Sequence, residues 1–211
     1  MEVEDVLYFQ AFLYLNNGKE KNVRYSKEEN MADKIKNAYP ASWIGLKPAR
    51  FRKYKAWINN VKPGICGTYV GAVILHDAFN QKYGIDLEKE KLIAGLKTVI
   101  DDTFPYKGTF PWDVWHGVDW MLKGNKDFRV KMHFVAERKV VDLLNRENPI
   151  PVAVGTATLF GSPYKNHWVV VYAYGYDQEG KLFYKAYDNH GRYTAIVPAS
   201  QTIGCVWIEP V

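Results

Sequence analysis

Lys62-Pro63-Gly64-Ile65-Cys66-Gly67-Thr68-Tyr69-Val70-Gly71-Ala72-Val73-Ile74-Leu75-His76 is the stretch on which the fold turns. A proline-glycine turn gives way at Cys66 to a segment that keeps a helical pattern as far as Tyr83. Tyr69, Ala72, His76, Phe79 and Tyr83 form one stripe, and Val70, Val73 and Ile74 form another. A helix that is apolar on most of its sides is a buried central helix. Gly84 supplies its stop. The thiol of Cys66 falls in the first turn, at the positive end of the helix dipole.

Further along, residues 88–100 suit a second helix, with Leu92, Ile93, Leu96, Val99 and Ile100 facing inward. Pro111 can open a third at its first position, and its heavy side chains Trp112, Trp115, Trp120 and Met121 are expected in the core. Residues 136–147 form an amphipathic helix through Val140, Val141 and Leu144. After Pro149 the pattern changes. Residues 151–155 and 167–174 are apolar runs rich in β-branched and aromatic side chains, which favour strands. Residues 182–187, 192–197 and 203–208 complete an antiparallel meander. Helices first and strands later predict an α+β domain. On the N-terminal side, residues 39–65 look irregular, punctuated by Pro40, Pro48, Pro63 and Gly64. Ser26 with Glu29 makes a capping box for a short helix to about Ala38, and residues 3–15 are apolar without a clean period.

Composition narrows the function. The chain has 211 residues, 47% hydrophobic and 24% charged, which is globular usage. Lys and Arg exceed Asp and Glu by 28 − 23 = 5. The densest basic stretch, Lys47 to Lys55, lacks the clustering or motif of a nucleic-acid footprint and reads as a solvated edge. No apolar run is long enough for a membrane-spanning helix. The start, Met1-Glu2-Val3-Glu4-Asp5, lacks the basic region of a signal peptide, which fits either a cytoplasmic protein or a fragment whose leader has been removed. Two cysteines, Cys66 and Cys205, are too few for a disulfide scaffold. The five histidines are dispersed and no CxxC or HExxH occurs, so no metal site or cofactor is expected.

A thiol nucleophile needs a route to thiolate, a base, and a donor for the oxyanion. An unperturbed thiol is only about 3% thiolate at pH 7, and a helix N-terminus or a nearby imidazolium raises that fraction. Cys66 sits where both could act. His167, at the mouth of the strand 167–174, is the candidate base. Asp188-Asn189 ends the next strand, and hairpin pairing would bring position 188 beside position 167. Neighbouring strand residues point to opposite faces, so one of the two orients His167, with His190 a third candidate. His76 is expected to be a hydrogen-bonded core residue and Cys205 an apolar filler.

Together these residues resemble the papain-like cysteine peptidases, most closely the bacterial C39-like group. Cys66-Gly67 matches the pair that opens that family's central helix. Residues 148–154 match the segment leading to its His-Trp-x-Val strand, here His167-Trp168-Val169-Val170, and Tyr187-Asp188-Asn189 matches its orienting residue. The resemblance covers residues 57–208. It implies a helical lobe and an antiparallel sheet lobe with the site between them. It also implies a peptide or protein substrate and a Cys66–His167–Asp188 triad, Asp188 being favoured over Asn189. Residues 57–211 would form the catalytic domain, with residues 1–56 an N-terminal segment packed on it. The family is mostly exported or membrane-linked, which leans toward an extracellular location. One departure stands out: where the family has a Gln about six residues before the Cys, this chain has Asn60. Asn60 can donate the same hydrogen bond but is one methylene shorter, and loss of one such donor typically costs about 10²–10³ in rate. Two alternatives stay open. One is another acyl-transfer enzyme on this scaffold, transglutaminase-like or an amidase. The other is a degenerate module that binds without turnover.

Overall fold

The computed structural model describes residues 39–60, 64–103 and 108–211. The readings of residues 3–15, of the Ser26–Glu29 capping box and of Lys62-Pro63 lie outside them. The described elements run β1 (Ile44–Gly45), α1 (Pro48–Phe51), a 3-10 turn (Arg52–Ala56), α2 (Cys66–Tyr83), α3 (Lys89–Ile100), α4 (Pro111–Met121), β2 (Phe128–His133), α5 (Ala136–Leu144), β3 (Val152–Thr156), β4 (His167–Tyr176), β5 (Leu182–Tyr187), β6 (Ala195–Pro198) and β7 (Thr202–Pro210). This is a mixed fold of helices and one antiparallel sheet. No helix among the described residues is long and apolar enough to cross a membrane.

α2 is buried along its first twelve residues, Cys66 to Asp77. Its all-round apolar sequence is what allows this, because a polar face would need water. Gly84, at φ +67°, closes the helix in the left-handed conformation that glycine adopts without strain. The sheet order is β2-β7-β3-β4-β5-β6, and β1 pairs with β4. β4 supplies both faces of the sheet. Trp168, Val170 and Tyr172 join the core around α2, whereas Val169, Val171 and Tyr174 join the core beneath α5. Ala173 breaks the alternation by facing the α2 side, where the register against β5 shifts between Val171 and Ala173.

Four expectations are corrected. The meander stops at β6: β7 crosses back to lie between β3 and β2. Residues 128–133, in the half expected to be helical, form the strand β2. There Phe128 and Val130 are buried while Arg129 and Lys131 are exposed, a two-residue period too short to stand out. Trp120 lies 53% exposed, because the inward face of α4 is Val114, Gly117 and Val118. The basic stretch is not simply a solvated edge. Arg50 makes a two-pronged contact with Asp77, which is 1% exposed, through Nε (2.9 Å) and a terminal nitrogen (2.6 Å).

The irregular segment before α2 carries core residues. Phe51 stacks on Tyr172, with ring centres 4.4 Å apart. Tyr54 is buried, and its hydroxyl bonds His76 Nδ1 (2.8 Å). His76 Nε2 meets Asp86 (2.7 Å), so both ring nitrogens of this buried histidine are engaged. The Tyr187 hydroxyl donates to the carbonyl of Trp57, tying this segment to β5.

Candidate active site

Cys66 is the first residue of α2, and the amides of a helix's first turn have no carbonyl one turn earlier to bind. Cys66 is 7% exposed. The backbone amides of Trp168, Gly67 and Cys66 itself favour the charged form of the thiol. Trp168 follows His167 directly in β4, so the thiol lies at the entry of that strand.

His167, 6% exposed, gives Nε2 to the backbone carbonyl of Asp188 (2.9 Å). A carbonyl oxygen only accepts, so Nε2 carries the hydrogen. In the neutral ring Nδ1 then holds a lone pair, the state a general base requires. Cys66 and His167 line one cavity of about 340 Å³ with Asn59, Asn60, Gly64, Asn166 and His190. Asn60, the residue at the expected oxyanion-donor position, therefore shares the cavity with the thiol.

The orienting residues are arranged differently from two alternating strand positions. β5 ends at Tyr187, and Asn189 has φ +45°. The carboxylate of Asp188 turns back on its own loop: Oδ1 accepts from the N–H groups of His190 and Arg192 (both 2.9 Å), and Oδ2 accepts from the Tyr164 hydroxyl (3.1 Å). Its carbonyl, not its carboxylate, meets His167. The Asn189 side chain donates to the Trp168 carbonyl (2.8 Å), and the Asn189 carbonyl accepts from Asn59 N–H (2.8 Å). Both loop residues thus hold the entry of β4, one through backbone and one through side chain.

Two rings flank the imidazole. His190 stacks on His167 with centres 4.4 Å apart, and Tyr164 lies nearly parallel at 5.7 Å. Sequence reasoning gave Tyr164 no role and weighed His190 only as an orienting group; its place two residues after Asp188 was the available signal. Asn59, adjacent to Asn60, carries no signal of its own in the sequence.

The electrostatics differ from the expectation of a thiol activated by the helix dipole. Burial pushes the Cys66 thiol up to about 11, outweighing the three N–H groups that pull it down. Burial pulls the His167 imidazole down to about 4, and the neighbouring His190 adds to that. Desolvation disfavours whichever form is charged, so both groups are driven toward neutrality. Cys205 is fully buried in β7 and does not line this cavity; burial pushes it up to about 12. Both cysteines are free. Among the described residues no group of three or more His, Cys, Asp or Glu is placed to hold a metal ion.

No protein-family model matches the chain. No curated protein matches it either. Among solved structures it is similar to a recombinant stem bromelain precursor, at 12% identity and a TM-score of 0.45, over 99% of this chain and 88% of that one. It is also similar to the proform of the Amb a 11 cysteine protease, a major ragweed pollen allergen, at 12% identity and a TM-score of 0.38, over 98% of this chain and 73% of that one. Likenesses this distant leave the chemistry to rest on the site itself.

Proposed function

We propose that the chain is a papain-like cysteine peptidase that hydrolyses peptide bonds through a thioester, with Cys66 as nucleophile and His167 as base. One observation carries this reading: the thiol shares a cavity with an imidazole whose free nitrogen is the basic one. Cys66 and His167 both line it, and the His167 ring is tied at Nε2 and keeps Nδ1 as acceptor. Residues 57–211 are read as the catalytic domain. Phe51 and Tyr54, which share a core with α2, support the packing on it of residues 39–56, the described part of the N-terminal segment.

In this mechanism the resting pair is neutral. The two pKa values, about 11 and about 4, lie about seven pH units apart. Separate ionisation would cost about 10 kcal/mol before the mutual attraction of the two ions is counted. The proton therefore moves from sulfur to His167 Nδ1 as the sulfur bonds to the substrate carbonyl. The carbonyl electron pair shifts to oxygen, which accepts from the Cys66 N–H and from the Asn60 side chain. The imidazolium that forms keeps its Nε2–H on the Asp188 carbonyl. It then protonates the departing amine, and the C–N bond breaks to leave the thioester. Water, deprotonated by Nδ1, attacks the thioester, and sulfur leaves with the returned proton. Asp188 acts here through its backbone, and its carboxylate shapes the loop that presents that carbonyl.

The test is hydrolysis of fluorescein-labelled casein by the full chain. C66A and H167A should each lose at least about 10³ in rate, and N60A about 10². Stoichiometric binding of casein with no turnover in the unmodified chain would instead favour the binding-module alternative.

A further inference from the structure

The 108–110 segment lies across the start of α2 and makes contacts that the chemistry above does not use. A Cβ on Gly67 would sit 2.3 Å from Thr109 Cγ2, so a residue adjacent to the nucleophile is glycine where Thr109 leaves no room. The Trp168 indole N–H donates to the Thr109 carbonyl (2.8 Å). The Thr109 hydroxyl lies within reach of two acceptors, the Gly64 carbonyl (3.3 Å) and Asp101 Oδ1 (3.4 Å). The other oxygen of Asp101 accepts from the hydroxyl of Thr68 (2.6 Å), which is fully buried two residues after Cys66.

We propose that Asp101 is a positioning residue for Cys66: its carboxylate ties the first turn of α2 to the Thr109 segment, and through Thr109 to the strand that carries His167. This rests on the reading of Cys66 as the nucleophile and deepens it. α3 ends at Ile100, so Asp101 projects from a helix end fixed by its own core packing. A half-buried carboxylate with two hydroxyl partners is an anchor of defined geometry. It is also a negative charge beside the thiol, and a like charge opposes thiolate formation. The direction agrees with burial: Asp101 adds to what holds Cys66 protonated. The charged and titratable groups around this unit are Lys97 on α3, Asp102 next to Asp101 just beyond it, and His167 and His190, which line the cavity with Cys66. Burial raises the Asp101 carboxyl itself, while the Thr68 and Thr109 hydroxyls lower it. The clamp therefore fixes where the sulfur sits and helps keep the resting pair neutral.

The experiment is the pH profile of iodoacetamide alkylation at Cys66 in the full chain, followed by peptide mass spectrometry, with Cys205 as internal control. D101N keeps the shape of the side chain and removes its charge, so the alkylation midpoint should fall by about one pH unit. D102N, whose carboxylate pairs with Lys97 at the surface (2.7 Å), should leave the midpoint in place. T68V removes the hydroxyl at constant shape and should lower kcat for casein about tenfold with little change in KM, whereas T68S should restore it to within about twofold. A shared midpoint for D101N and the unmodified chain, or an unchanged kcat in T68V, would overturn the proposal. Alkylation needs no turnover, so the D101N outcome is separate from failure of the unmodified chain to hydrolyse casein, which would remove the peptidase reading itself.

Discussion

Replacing His167 with glutamine tests whether the fold holds this imidazole neutral. Glutamine keeps an N–H that can donate to the Asp188 carbonyl and has no charge to gain on acidification. The folded pKa of His167 is about 4, against an ordinary value of 6.5. A folded value below the unfolded one means that the unfolded chain binds the proton more readily. The stabilising contribution is therefore present above pH 6.5 and is lost as pH falls through about 4. Linkage gives a loss of about 2 kcal/mol between pH 7.5 and pH 5, and about 3 kcal/mol by pH 4. Because His167 is only 6% exposed, solvent screening takes little from these figures. The assay is urea unfolding of the parent chain and H167Q at pH 7.5, 6 and 5, followed by tryptophan fluorescence. Absolute stabilities include every other titrating group and whatever packing glutamine changes. The difference in pH dependence between the two proteins isolates His167. The parent should lose about 2 kcal/mol more than H167Q on going to pH 5. Parallel curves would refute the reasoning, since they would mean that His167 takes up its proton as easily in the folded chain as in the unfolded one.

Other outcomes follow from the geometry. D188N preserves the backbone carbonyl that holds His167, so kcat/KM for casein should stay within about tenfold of the parent; a loss near 10⁴, typical when an orienting carboxylate is removed, would return that role to the side chain. G67A should destabilise the chain by about 1–3 kcal/mol in urea unfolding, and adding T109S, which removes the methyl 2.3 Å from the new Cβ, should recover part of that. R50M leaves the buried Asp77 charge unpaired and should cost about 3–5 kcal/mol by the same measurement, with R50M/D77L regaining most of it.

What the sequence disclosed, and what it hid, follows from the range of the forces involved. α2 was legible to its last residue because its apolar pattern, its glycine stop and its start at Cys66 are all local. β4 and β5 were legible because β-branched and aromatic runs bounded by turns announce strands. The return of β7 to a position between β3 and β2 was not. It depends on which open edge a strand finds, and composition does not encode that. Cys66 and His167 could be singled out from order and local context, and Asn60 from the family resemblance; all three line one cavity. Asp188 illustrates the limit. Its position along the chain was evident, but which of its oxygens faces His167 depends on the turn made with His190 and Arg192. The resting charge state was also hidden. The helix dipole is a local property visible in sequence, whereas the burial that opposes it comes from the whole packed surroundings of the thiol.

β7 pairs residue 128 with residue 210 on one side and residue 152 with residue 207 on the other. Among the described residues it is the only strand that joins β2 to the rest of the sheet. β3, β4, β5 and β6 can zip up as neighbours soon after they are made, but β2 must wait for a partner some eighty positions away along the chain. Pairings of that separation slow folding, because a long loop has to close before any contact rewards it. β2, which packs against α4, is thus joined late to the sheet that carries the imidazole, by one strand. Any lesion that frees β7 would leave two open edges exposed to pairing with other chains.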